Sequence, residues 1–525
     1  MTVRETYSGR LASNADRLRR AVPLEARDRR WLTLALVPSV VAVCVYLATN
    51  PYPAYGAGLY TQIAEEIIAG GYAPPTRIPG YTADGVPFAY PPLQFYVLAV
   101  LIDMGGDPVT IARFLPSVAV VAVQIPVYLL ARDYTGSRPA GAATAAAVAL
   151  NPQILEWHIS AGGVVRAFAY LYALTAIYAG YHVFTSGDRR AVLGGLAAFG
   201  LTLLTHPTYS LFVVTTYLLM WAVFDRSLAG LVRGAIVGLG GTVVASPWLA
   251  WMASVHGVET FAAAGSTHGG IGGGMSFLYG AISVYTAIPL VAAAYLLVVR
   301  RERFLPLWFV AAEVLFKQPR FSYTVGSFAL VAVGLDVAGR IRALDRAGPR
   351  NVDWRAAGTA ALILAATVGG GAYLAYEMTL VTDPTTPEFL DDEAVEAMEW
   401  AATETPEDAT FVVLGDAAEW FPVQAERTIL VGPWGVEWEG ADKYEPQLGA
   451  YKNVSACQTA SCVERTAATV GANPDYVYVP KGRYTVRGAG MVQFGSLERS
   501  FERSPRWELA FENEGVAIYR ARAPE

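Results

Sequence analysis

The chain of 525 residues is 54% hydrophobic and only 16% charged, with a mean hydropathy of +0.34. That composition excludes a soluble globular protein and requires an integral membrane one. The formal charge of -6 hides an asymmetry: after Tyr376 acidic residues outnumber basic ones roughly two to one, while the apolar part is mildly basic. Neither part carries the basic stripe that nucleic acid requires.

In chain order, Met1 to Arg30 is polar and arginine-rich, with Arg17, Arg19, Arg20, Arg27, Arg29 and Arg30 ahead of Trp31. The apolar run that follows is long enough to span and lacks a small-residue cleavage site, so it is not a signal peptide. The arginines keep the N-terminus cytoplasmic, and Trp31 to Thr49 runs outward as the first span. Cys44 within it is read as a small core residue.

The next stretch, Thr49 to Leu93, is too polar and too rich in Pro and Gly to cross a bilayer, and the first outer loop is taken as residues 50–110. Leu59, Ile63, Ile67 and Ile68 fall at helical spacing with Gln62, Glu65 and Glu66 opposite. The spacing predicts a surface helix with its apolar face in lipid. Leu93 to Met104 is apolar but short, interfacial or re-entrant rather than spanning.

Further spans are expected at Ile111 to Ala131, Ala140 to Trp157, Ala167 to Phe184, Ala191 to Leu204, Thr208 to Phe224 and Leu231 to Met252. Phe277 to Val299, Phe304 to Phe316, Phe321 to Gly339 and Ala356 to Tyr376 complete a bundle of about eleven. With that parity Arg132, Arg138, Arg189, Arg190, Arg226, Arg233, Arg300, Arg301, Arg303, Arg340, Arg342, Arg346, Arg350 and Arg355 all fall on the cytoplasmic side. It also puts everything after Tyr376 outside. Cys457 and Cys462, close enough for a local disulfide, and the N-glycosylation acceptor Asn453-Val454-Ser455 suit that compartment.

Thr382 to Pro387 reads as a linker into a small soluble α/β domain, residues 378–525. Asp391 to Ala402 has the pattern of an amphipathic helix. Phe411 to Leu414, Thr428 to Val431, Tyr476 to Val479, Trp507 to Phe511 and Val516 to Tyr519 read as strands, the last two joined by Asn513-Glu514-Gly515. The fold class is therefore a polytopic α-helical membrane protein, residues 31–377, carrying an extracytoplasmic α/β domain.

An arginine-flanked first span, a long outer loop with a surface helix, and a closing Ala89-Tyr90-Pro91-Pro92-Leu93 together resemble the GT-C superfamily of membrane glycosyltransferases. Ala112 to Ser117 (ARFLPS), Leu203 to Pro207 (LLTHP) and Gln318 to Tyr323 (QPRFSY) add to the likeness. Dolichyl-phosphate-mannose protein mannosyltransferases, aminoarabinose transferases and oligosaccharyltransferase catalytic subunits share that plan. The resemblance implies a polyprenyl-phosphate-linked sugar donor, an extracytoplasmic glycan, lipid or protein acceptor, and an acidic residue in the first outer loop as general base. This chain departs there: Tyr55-Gly56-Ala57, ahead of Tyr60, fills the place of the family's Asp.

Four carboxylates are substitutes. Glu65 and Glu66 lie on the loop helix, where a solvated face is the plainer reading. Asp84, in Ala83-Asp84-Gly85, is first a turn residue. Glu156, beside His158 at the outer end of a span, sits near membrane depth, where carboxylates are costly and usually functional. For the donor phosphate the candidates are Lys317 and Arg320, on a side otherwise stripped of positive charge, with Arg166 and His206. A phosphate leaving group needs such charge as its own develops. The plainer alternatives are snorkelling and pairing with Glu313.

Gly265 to Gly274 lacks the ending of a phosphate loop and reads as a linker. His256 and His268 with Glu259 fit no zinc pattern, so no cofactor is assigned, and a divalent metal stays open. The expected function is transfer of a sugar from a polyprenyl-phosphate donor at the membrane. The competing one is a non-catalytic relative that binds polyprenyl lipid or glycan, or scaffolds a glycosylation complex. A transporter would show paired inverted halves, and none are visible.

Overall fold

A computed structural model of the protein describes residues 26–261, 263, 283–344, 354–379, 389–487 and 489–522. The arginines at 17, 19 and 20, the linker 382–387, the glycine-rich run 265–274, His268, Arg346 and Arg350 lie outside the described residues.

A helix bundle forms the body. Among the described residues six helices are long and apolar enough to cross a membrane: Asp28–Thr49, Pro108–Thr135, Gly163–Thr185, Pro207–Phe224, Leu228–His256 and Arg320–Gly339. Shorter apolar helices, including Tyr285–Val298, Phe304–Leu315 and Ala357–Gly370, complete it. The chain is thus a multi-pass membrane protein.

Proline and short polar caps set the breaks. Asp107 accepts from the Thr110 amide at 2.7 Å and Pro108 opens the next helix, where its missing N–H costs nothing. Asn151 caps Pro152–Trp157 in the same way, so the segment expected as one span from 140 to 157 divides into Arg138–Ala149 and a short second helix. Cys44, expected in the core, is exposed on the first helix.

At one end of the bundle Asp28 is clamped by Arg138 at 2.9 Å and Arg132 at 3.3 Å, and Asp133 holds His182. At the other end sits the C-terminal body. Its five-stranded sheet runs in the order β4 (Thr428–Ile429), β3 (Thr410–Val413), β5 (Tyr476–Pro480), β9 (Val516–Ala521), β8 (Trp507–Glu512). Strand β3 is parallel to both neighbours, while β9 runs antiparallel to β5 and β8. A hairpin of β6 (Arg483–Val486) and β7 (Gly490–Gln493) was not expected from the sequence. Cys457 and Cys462 form a disulfide, and Asn453 is exposed on the helix Ala441–Ala456.

The first long loop, residues 50–110, belongs to this body as much as to the bundle. Its two short strands β1 (Arg77–Ile78) and β2 (Val86–Pro87) pair antiparallel, and Tyr81 then bridges Ile429 in parallel. The Thr82 amide donates to the Ile429 carbonyl at 2.9 Å, and the Ile429 amide donates to Gly80 at 2.9 Å. The loop therefore covers the open edge of β4, which would otherwise present unpaired backbone groups.

The helix Gly58–Ala69 forms as expected, but its surroundings differ. Leu59, Ile63 and Ile67 are buried in one apolar core with Phe411, Trp420 and Phe421. The stripe meant for lipid is covered by protein, because the C-terminal body supplies a larger complementary apolar face.

Candidate active site

Between the bundle and the C-terminal body lies a cavity of about 320 Å³. Arg166, His206, Lys317 and Arg320, picked from three connections in the sequence, all line it. Arg487, Glu437 and Tyr444 close it from the C-terminal side, with Gln153 and Trp157 on the wall. Two larger hollows, of about 520 and 450 Å³, each lie within a single body: a surface trough beside Arg499 and Arg503, and an apolar groove between helices at Phe199 and Leu231.

Local folding explains how each of these side chains is held. Pro319 precedes the helix that Arg320 opens, so Arg320 stands at a helix start beside the exposed Lys317. Arg320 is only 7% exposed; its Nη1 donates to the Tyr209 hydroxyl at 3.0 Å, and the guanidinium lies 5.7 Å from that ring's centre. His158 Nε2 meets the same hydroxyl at 2.6 Å. Buried Arg320 Nε has no hydrogen-bond partner among the described residues. A charged donor left unfilled at such a wall is costly unless a ligand satisfies it.

Arg166 stacks over Trp157 at 5.3 Å, and Trp157 in turn stacks on Tyr55 at 4.9 Å. His206 caps Pro207–Phe224, its Nδ1 accepting from the Thr208 amide at 3.3 Å. Glu313, considered as a partner for the cations, instead accepts from Thr286 at 3.0 Å. Lys317 and Arg320 make no ion pair among the described residues.

Arg487 is exposed and lines the cavity. Its amide donates to buried Asp416 at 2.7 Å, and Tyr451 donates to the same oxygen at 2.5 Å. Glu419, Glu437, Tyr444 and Tyr90 raise the Arg487 pKa, so it stays charged. Glu437 accepts from the Tyr90 hydroxyl at 2.5 Å. The arrangement can hold an anion against four cationic groups with a single carboxylate lining the far wall.

The four carboxylates weighed in the sequence scatter by comparison. Glu156 is the nearest: it accepts from Tyr55 at 2.9 Å and from Gln153 at 3.4 Å, within electrostatic reach of Arg320. Glu65 is half-buried under the C-terminal body, where burial, with Glu426 and Glu66, pushes it up to about 7. Glu66 neighbours it on the helix, and Asp84 is exposed in a turn whose carbonyl accepts from Arg77 at 2.9 Å. No group of three metal-ligating side chains occurs among the described residues. Arg487, Glu437 and Glu419 escaped sequence reasoning, because charged residues in a soluble domain ordinarily face water and nothing local marks these as facing the bundle.

Residues 89–251 match the family model of dolichyl-phosphate-mannose-protein mannosyltransferases. In structure the chain is similar to the arabinofuranosyltransferase AftD from Mycobacteria, with a TM-score of 0.56 and 13% identity over 94% of this chain and 40% of that one. It is also similar to ArnT from Cupriavidus metallidurans bound to undecaprenyl phosphate, with a TM-score of 0.55 and 14% identity over 93% and 97% of the two chains. The chain thus spans 40% of the length of AftD and nearly all of ArnT. No curated protein sequence matches it.

Proposed function

The chain has the fold of the GT-C membrane glycosyltransferases, and from that premise we propose that it moves a sugar from a polyprenyl-phosphate donor to an extracytoplasmic glycan, lipid or protein. The observation that carries the reading is the convergence of Arg166, His206, Lys317 and Arg320 on one cavity at the outer end of the bundle, with the buried Arg320 Nε unsatisfied. In this reading the donor's phosphate lies among those side chains. As the bond from the anomeric carbon to phosphate oxygen breaks, the phosphate takes the electron pair, and the cations stabilise the added charge. Glu156, tied to Tyr55 and within electrostatic reach of Arg320, lies behind the cavity lining.

The disulfide and the exposed Asn453 support an extracytoplasmic C-terminal domain, and the Asp28–Arg132–Arg138 cluster supports a cytoplasmic opposite end. The test is transfer from radiolabelled dolichyl-phosphate mannose and polyprenyl-phosphate arabinofuranose to octyl glycosides, by purified protein in lipid nanodiscs. Arg320→Ala is expected to cut turnover by about 100-fold, the cost of removing one such charge-stabilising donor. Donor binding without turnover in the wild type would identify a lipid-binding relative instead.

A further inference from the structure

No carboxylate of the first loop lines the cavity, and Glu419 of the C-terminal body lies behind that lining, within electrostatic reach of Arg487 and Arg166, which belong to it. Glu419 ends the short 3-10 turn Asp416–Glu419 and is only 8% exposed. It lies over two glycines of the loop. A Cβ added at Gly56 would fall 2.0 Å from the Glu419 carboxyl carbon, and one at Gly58 would fall 1.9 Å from its carbonyl oxygen. The Glu419 side chain therefore occupies the space that a side chain on residue 56 would take. Two further ties fix it: Tyr81 donates to the Glu419 carbonyl at 2.5 Å, and the Trp420 indole donates to the Tyr55 carbonyl at 3.4 Å.

Resting on the glycosyltransferase reading, we propose that Glu419 is the general base for transfer, a catalytic carboxylate supplied by the C-terminal domain to a loop that lacks one. Its cationic neighbours, Arg487 and Arg166, both line the cavity. Glu419 forms no ion pair among the described residues, although burying an unpaired carboxylate costs several kcal/mol on general grounds. A purely structural position would be filled more stably by an apolar side chain, whereas catalysis needs the charge. In the step, the acceptor hydroxyl gives its proton to the Glu419 carboxylate as its oxygen bonds the anomeric carbon. The bond to phosphate oxygen breaks in the same event, and polyprenyl phosphate leaves with the electron pair.

The groups facing Glu419 are Arg487, Asp416 and Trp434 from the C-terminal body, Arg166 from the bundle, and Tyr60 and Tyr81 from the loop. Burial and Asp416 push Glu419 up against the pull of Arg487 and Arg166, to about 7. A base must be ionised to act, so turnover should rise with pH through about 7.

The experiment uses the full chain in nanodiscs with the two radiolabelled donors, and polyprenyl phosphate alone as the binding probe. Glu419→Gln should lose about 100-fold in kcat with polyprenyl-phosphate binding unchanged, the scale of one general base. Glu419→Ala combined with Gly56→Asp should recover at least about 10-fold over Glu419→Ala alone and displace the acid limb, because the carboxylate returns from the other strand of chain. Wild-type turnover in Glu419→Gln, or no recovery in a double variant that binds polyprenyl phosphate normally, overturns the assignment and leaves the glycosyltransferase reading intact. No transfer by the wild type from either donor overturns both.

Discussion

Glycine at position 58 is a matter of contact more than of backbone freedom. Its φ is ordinary, yet a methyl there would meet the Glu419 carbonyl oxygen at 1.9 Å, and backbone cannot swing aside as a side chain does. Gly58→Ala is expected to destabilise by about 2 kcal/mol, the scale of overpacking a tight contact, read as a fall in the thermal midpoint of the detergent-solubilised protein. Gly449→Ala is the control, since a methyl there meets nothing within 4 Å. It should be neutral or slightly stabilising; equal losses in both variants would remove the argument from close approach. Such residues also mark the limit of sequence reading. Lys317 and Arg320 stood out because the connections expected on that side are almost free of cations, a statement about charge along the chain. Glu419 had no such mark, because its setting is made by a loop some 338 residues away.

At the scale of the element, the helix Gly58–Ala69 shows what periodicity can and cannot say. The spacing of Leu59, Ile63 and Ile67 identified a helix with one apolar face, but an apolar stripe is indifferent to whether lipid or protein covers it. The cover is the C-terminal body, and it buries part of the polar face as well. Glu65 is pushed up to about 7 from a usual value of 4.5, first by burial and then by Glu426 and Glu66. Between those values the folded protein holds a proton that the unfolded chain has lost. The contribution is therefore fully present below about 4.5 and disappears as pH rises through about 7. Glu65→Gln is expected to raise the midpoint at pH 8 by the equivalent of about 1 kcal/mol and to change little at pH 4. A gain of the same size at both pH values would show that the carboxylate's charge is not the cause.

Across the whole molecule, the bundle was legible because spanning helices must be long and apolar, and each expected span has a helix at its centre among the described residues. The strands β3, β4, β5, β8 and β9 were legible from short β-branched and aromatic runs, and the hairpin β6–β7 was not, since Arg483 to Gln493 carries no clear alternation. What no local pattern encodes is the joint core, in which Ala57, Ile78 and Phe88 of the first loop pack with Phe411, Trp434 and Val477. If the loop is ordered by that core, ending the chain after Thr379 should expose it. Limited proteolysis should then cut within 70–90 in the shortened protein and spare the full chain; equal protection in both would show that the bundle alone orders the loop.

The bridge between Tyr81 and Ile429 also sets an order of events. The first loop is translated early, while its partner strand is still to come, and every bundle helix after the first lies between them in the chain. The cavity wall is consequently among the last parts of the molecule to be completed. A chain cleaved after Thr379 would keep the bundle helices and lack the strand that the first loop pairs with.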